Sequence, residues 1–383
     1  MYYNIWLSCL KLTLEFLNTI FYLFYQYFFF INSNEENVND VVFFCGYGNI
    51  PGEKEKWDGD TKYMGGSENS LILLAEKLSK KYNVKIYNNC KYNKIINNVE
   101  YINSNKFNYY NKYGVVIFWR FSFPLLFCNI RSSNKILWIH DGEPLINCLH
   151  YLKRINILSK IIQKMIQKID NIICPSYFLK EKMNEYINLD YKYTTIIPNF
   201  VKKNNKIITN KKKNKILWHV NFNRGLKTII DNWNKIKLLN KDFELHIYGD
   251  KKELYINSKD YDNILNDDIF FHNKINHNEM VDIIPEYDFF IYPAIIRESF
   301  SISTWECLIN NCLPIVYNLG AIKEIENYGG VVVKENNFDE ILLFLKFFLV
   351  DDNYEKQLIK INKIDKSFIH QDNIYNQWLN IIK

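Results

Sequence analysis

Between Tyr292 and Glu306 the chain reads Tyr-Pro-Ala-Ile-Ile-Arg-Glu-Ser-Phe-Ser-Ile-Ser-Thr-Trp-Glu. A largely apolar segment, Tyr287 to Ile291, precedes it and reads as a buried strand. Apolar residues at helical spacing follow: Ile302, Trp305, Leu308 and Ile309. Ser299, Ser301 and Ser303 are each able to cap that helix. Strand, loop and helix in this order fit an α/β fold. Glu298 falls in the loop, and Glu306 about two turns into the helix. In an open α/β sheet such a loop lies at the carboxyl edge, where ligands bind. Free N–H groups at the helix start favour an anion there. Two carboxylates beside an anion seat suit the hydroxyls of a phosphorylated sugar. The plain alternative is two solvated glutamates.

The segments that follow extend the pattern. Glu306-Cys-Leu-Ile-Asn-Asn-Cys-Leu-Pro314-Ile-Val316 leads to Gly320-Ala-Ile-Lys-Glu324 and then Gly329-Gly330-Val-Val-Val. This ordered set resembles the retaining GT-B glycosyltransferases of the group 1 class, glycosyltransferase family four. Cys312 stands where that family usually has Gly. The resemblance runs from about Val41 through most of the chain.

The chain opens on an apolar run over residues 5–31 with a polar stripe of Ser8, Lys11, Glu15 and Asn18. This predicts an apolar N-terminal helix over 1–34: a membrane anchor, an in-plane helix, or one docked on a protein surface. Asn32 to Asp40 reads as a polar linker, and Val41 to Cys45 as the first buried strand. A loop then reaches Gly65-Gly66-Ser67-Glu68, with Ser67 a plausible cap for a helix carrying Leu71, Leu74 and Leu78. Asp58-Gly-Asp60 in that loop has metal-ligand chemistry but reads as a solvated turn. Strands follow at Val84–Tyr87, Val115–Trp119 and Lys135–His140, and His140 closes the last of these at the ligand edge.

Tyr151 to Ile169 is an amphipathic helical pattern with Lys160, Lys164 and Lys168 on one side. Lys202 to Lys215 is basic, Asn-rich and poor in apolar residues, as in a linker. Ile216 to Val220 begins the second domain, and Asn221-Phe-Asn-Arg224-Gly225-Leu-Lys227 follows that strand. The predicted domains are 35–199 (acceptor side), a linker at 200–214, 215–360 (donor side), and a C-terminal helix over 361–383 returning to the first domain.

The resemblance implies two Rossmann-like domains facing across a cleft. It also implies sugar transfer from a nucleotide-sugar donor to a glycan, lipid or protein acceptor, with retention and without a metal or other cofactor. It assigns Glu298, His140 and Arg224 as catalytic. It places the donor on Gly65, Gly66, Arg224, Lys227, Glu298, Ser299, Phe300, Ser301 and Glu306. The earlier Arg of the family's phosphate loop has no counterpart, because Val220-Asn221 stands there. That departure supports the competing class, a catalytically inactive membrane-associated scaffold or carbohydrate-binding protein.

Composition bears on partners and compartment. The net charge of +6 is too diffuse for nucleic acid. Eight scattered cysteines form no paired motif, and the Asn-rich chain contains no Asn-x-Ser/Thr acceptor. Both point to reduced thiols and a cytoplasmic face, with membrane association through the N-terminal helix.

Overall fold

The computed structural model describes residues 17, 20–21, 36–46, 65–120, 130–140, 166–187, 194–204, 213–250 and 268–383. Two compact units result, one of residues 1–199 with 372–383 and the other of residues 200–371.

The first unit is built on an eight-stranded sheet in the order β3-β4-β2-β1-β5-β6-β7-β8. Its strands are β1 (Glu36–Phe44), β2 (Asn83–Asn88), β3 (Lys94–Ile96), β4 (Val99–Asn103), β5 (Lys112–Trp119), β6 (Arg131–Trp138), β7 (Asn171–Cys174) and β8 (Thr194–Ile196). All neighbours are parallel except β3 and β4. Seven consecutive residues of β5, Tyr113 to Trp119, are buried. Such near-continuous burial is what helices on both faces of a parallel sheet require. Helix α1 (Gly66–Leu78) follows β1, and α2 (Tyr177–Ile187) follows β7.

The first strand starts earlier than the sequence suggests. Glu36–Asp40, read as linker, is strand: Glu36 and Asn37 pair with β5, with a register shift between Asn37 and Val41, and Asp40 pairs with Asn83 of β2. Asp40 is buried there because Lys85 Nζ and Asn83 Nδ2 each donate to its carboxylate at 2.6 Å. A paired carboxylate can enter a strand that a hydropathy pattern rejects.

Helix α1 also starts before Ser67: its cap is Gly65, which has no side-chain hydrogen bond to offer. Ser67 is instead drawn to its neighbours, accepting from Arg120 Nη2 at 2.5 Å and donating to Glu68 at 3.0 Å.

The terminal helix, Gln371–Ile382, packs on this sheet. Trp378 is fully buried with its ring 4.7 Å from that of Trp138, and Asn134 Nδ2 donates to Ile381 O at 2.5 Å.

The second unit has a fully parallel six-stranded sheet in the order β11-β10-β9-β12-β13-β14. It contains β9 (Lys215–Trp218), α3 (Leu226–Asp231), α4 (Trp233–Leu239), β10 (Glu244–Tyr248), β11 (Ile269–His272), α5 (His277–Ile283), β12 (Phe289–Tyr292), α6 (Ile302–Ile309), β13 (Leu313–Tyr317), β14 (Val331–Val333), α7 (Phe338–Leu349) and α8 (Asn353–Lys363). Every residue of β12 and β13 is buried. From β9 the chain winds outward through β10 and β11, then returns to place β12 on the other side of β9. That reversal makes the carboxyl ends of β9 and β12 the crevice of this sheet.

Phe200 and Val201, at the start of the expected linker, are buried, and Val201 belongs to the second unit's core. Of the expected N-terminal helix, only Leu17, Ile20 and Phe21 are described, with Leu17 and Phe21 exposed. The rest of that expectation, most of the Tyr151–Ile169 pattern, and Asp58 and Asp60 lie outside the described residues. Among the described residues no helix is long and apolar enough to cross a membrane.

Candidate functional site

The loops after β9 and β12 meet at the crevice of the second sheet. Asn221 accepts from the Asn223 N–H and starts the 3-10 turn Phe222–Arg224. Gly225 ends that turn at φ +130°, with its Cα against the backbone of Pro293. A Cβ there would lie 2.2 Å from Pro293 O, so only glycine lets the two loops touch. Ile295 N donates to Arg224 O at 3.4 Å, completing the backbone contact.

Glu298 is fixed from the other side. Its backbone forms a parallel bridge with Gly320, and its carbonyl accepts from Ala321 N at 2.8 Å. A Cβ at Gly320 would lie 2.6 Å from Glu298 O.

In that frame Arg224 Nη1 forms an ion pair with Glu298 Oε1. Tyr292 OH donates to the same oxygen at 2.6 Å. Glu298 is 13% exposed and Arg224 40%, so a partly exposed arginine stands beside a mostly enclosed carboxylate. Burial alone would lower the Arg224 pKa. Glu298 first and Tyr292 second outweigh it and hold the charge more firmly than usual. Tyr292 is fully buried, and burial followed by the Glu298 charge raises its pKa well above 10. It is therefore a permanent donor. The arrangement offers a partly exposed cation for a diphosphate and a fixed acceptor beside it.

Glu306 is placed differently. It stands one turn into α6, not two, because the helix begins only at Ile302. Ser301 is the cap, in left-handed conformation at φ 62°, and its hydroxyl pairs with Thr304 Oγ1 at 2.7 Å, not with a backbone N–H. The Glu306 side chain is 2% exposed. Its oxygens accept from His277 Nε2 at 2.8 and 2.9 Å, and Oε1 also accepts from Lys202 N at 2.9 Å. His277 leads α5, whose cap Asn276 forms a reciprocal capping box with Glu279. Next to this pair lies His219, whose pKa burial first and His277 second push down to about 3.

The other expected donor residues divide. Phe300 is buried and stacked on Trp305 at 5.9 Å, a core contact. Ser299 is half-buried in the loop. Lys227 Nζ lies 2.6 and 2.7 Å from the Asp231 carboxylate on the exposed face of α3.

In the first unit, His140 follows β6 and is buried between the rings of Trp119, at 5.7 Å, and Trp138, at 4.4 Å. Among the described residues neither ring nitrogen has a hydrogen-bond partner. Burial, then the nearby Arg120 charge, lowers its pKa well below the usual value, so it is neutral. Arg120 had no place in the sequence reading. It follows β5 at φ 68°, lies over the Trp119 ring, and pairs with Glu68 at 3.1 Å near Gly65 and Gly66.

Tyr292 and His277 were also missed. The capping box Asn276-His-Asn-Glu279 is a visible signal for where α5 begins. Nothing local indicates which carboxylate His277 reaches.

Fold and site together define the class: an α/β protein of two parallel-sheet units resembling GT-B proteins, with a charged crevice in the second. Residues 200–365, nearly all of that unit, match the family model described as "Glycosyl transferases group 1".

Solved structures agree on the fold. Sucrose-phosphate synthase from Thermosynechococcus elongatus superposes with a TM-score of 0.67 at 11% identity, covering 90% of this chain and 98% of that one. A glycosyltransferase from Rickettsia africae gives 0.63 at 14%, covering 90% and 98%. HepE of Anabaena, in complex with UDP and glucose, gives 0.63 at 12%, covering 89% and 98%. The chain spans about half of TarM, 54% of its length, at a TM-score of 0.51. No curated protein matches the chain.

Proposed function

We propose that the protein is a retaining glycosyltransferase of family four that moves a sugar from a nucleoside diphosphate sugar to an acceptor. The observation that carries this reading is the Arg224–Glu298 pair at the crevice of the second sheet, inside the segment that matches the family. Arg224 and the N-terminus of α6 stabilise the charge that develops on the departing diphosphate. Glu298 accepts hydroxyls of the sugar, and Glu306 those of the ribose. The charge is met without a metal ion. One HepE structure contains UDP and glucose, and a complex of a TarM variant contains UDP, Fondaparinux and alpha-GlcNAc-glycerol, which supports a nucleotide donor and a glycan acceptor. The catalytic units face the cytoplasm, held at a membrane by the N-terminal segment.

A panel of nucleotide sugars incubated with purified protein, with and without excess EDTA, tests this. Slow donor hydrolysis with one sugar nucleotide, unchanged by EDTA, is the expected result. No hydrolysis and no nucleotide binding would favour the inactive scaffold, for which Val220-Asn221 in place of the family's earlier Arg is the supporting feature. Loss in EDTA that Mn²⁺ restores and Asp58→Ala abolishes would assign the metal to Asp58 and Asp60.

A further inference from the structure

We propose that Tyr292 is a positioning residue of the donor site, holding Glu298 in place while Arg224 transfers to the diphosphate. This rests on the donor-site reading above. Arg224 and Tyr292 converge on one oxygen of Glu298, Oε1. The other oxygen, Oε2, has no hydrogen-bond partner among the described residues. The carboxylate is thus tied at one end and open at the other.

Arg224 cannot serve both anions equally. A nucleoside diphosphate brings more negative charge than one carboxylate, in a form that matches the planar guanidinium fork. When Arg224 turns to it, Glu298 keeps a single side-chain donor, Tyr292. That donor does not move with the ligand. Tyr292 is the last residue of β12, is fully buried, and packs edge-on against Trp218 at 5.8 Å. Its phenol stays protonated over the working range because burial and Glu298 both raise its pKa. Tyr292 thereby keeps Oε2 directed at the sugar hydroxyls.

Tyr292→Phe removes the hydroxyl and keeps the ring. The test titrates UDP, GDP and ADP, and their glucose conjugates, into wild type and variant, and measures donor turnover. Expected is nucleoside diphosphate affinity within about threefold of wild type, with kcat/KM for the sugar nucleotide reduced about 10- to 100-fold, the size of a hydrogen bond to a charged group. In a Glu298→Gln background the same change should cost at most about twofold, since Tyr292 acts through Glu298. A loss of diphosphate affinity equal to the loss of kcat/KM would mean general loosening and would overturn the role. So would full activity of Tyr292→Phe. If wild type binds none of the three diphosphates, the donor-site reading falls, and this inference with it.

Discussion

His277 Nε2 lies within 2.9 Å of both carboxylate oxygens of Glu306, a side chain otherwise enclosed by protein. The second glutamate of the pair is therefore not an open acceptor: a ribose that uses it must share it with His277 and with Lys202 N. Carboxylate oxygens accept more than one bond each, so sharing is chemically allowed.

Removing His277 should separate structure from binding. His277→Ala leaves a buried carboxylate with only one protein donor and should lower stability by about 1–3 kcal/mol. His277→Gln, which retains an N–H donor, should recover part of it. Thermal unfolding of the three proteins reads the first effect, and calorimetric titration of the nucleoside diphosphate reads the second. Equal melting temperatures would mean that the pair contributes nothing.

Glu298→Gln should reduce turnover roughly a hundredfold or more, the order expected for one preorganised charge contact. Its melting temperature should barely change, because the amide keeps one oxygen for Arg224 and Tyr292. Arg224→Lys should not restore Arg224→Ala, since an ammonium lacks the planar fork. Steady-state rates with saturating donor check both.

Gly225→Ala should be costly out of proportion to one methyl group. The backbone is at φ +130°, and the added Cβ would meet Pro293 O at 2.2 Å. A loss of about 3 kcal/mol in denaturant unfolding is expected, together with loss of activity as Arg224 is displaced. A stable, active variant would show that the two loops need not touch.

Acid should destabilise the second unit through His219. Its folded pKa is about 3, depressed from 6.5 by burial and His277. The unfolded chain therefore takes up the proton first. The stability from keeping this imidazole neutral is complete above about pH 6.5 and falls as the pH drops toward 3, by at most about 1.4 kcal/mol per pH unit. Between pH 6.5 and 5, His219→Gln should lose stability less steeply than wild type. Parallel slopes would exclude His219 as a contributor.

Deleting residues 1–34 should leave a folded, active protein that no longer sediments with membranes, because β1 begins at Glu36. Fractionation and donor hydrolysis of both forms decide this. Exposed apolar surface in the truncated form would place the segment in the core instead.

Much of the candidate site is legible in the sequence. The apolar segment before Tyr292, the serine-rich step and the helical spacing after it fixed a strand–loop–helix unit. Glu298 was placed in its loop, and Arg224 in the loop after another strand. These are local properties, carried by side-chain period and by turn residues. Errors fell where a distant partner changed a local preference. Asp40 enters a strand because Lys85 pairs with its charge and Asn83 donates to its other oxygen. Ser67 serves Arg120 rather than the helix start.

The sequence by itself determined the alternation of strands and helices around the site, and with it the α/β class and the residues at those strand ends. Tertiary structure alone decided which of those residues meet. β12 returns to the side of β9, and this brings Arg224 onto Glu298, 74 positions away, with Tyr292 beneath them. It also sets His277 of α5 against Glu306 of α6. Such contacts depend on strand order and on the close approach allowed at Gly225 and Gly320, which no window along the chain contains.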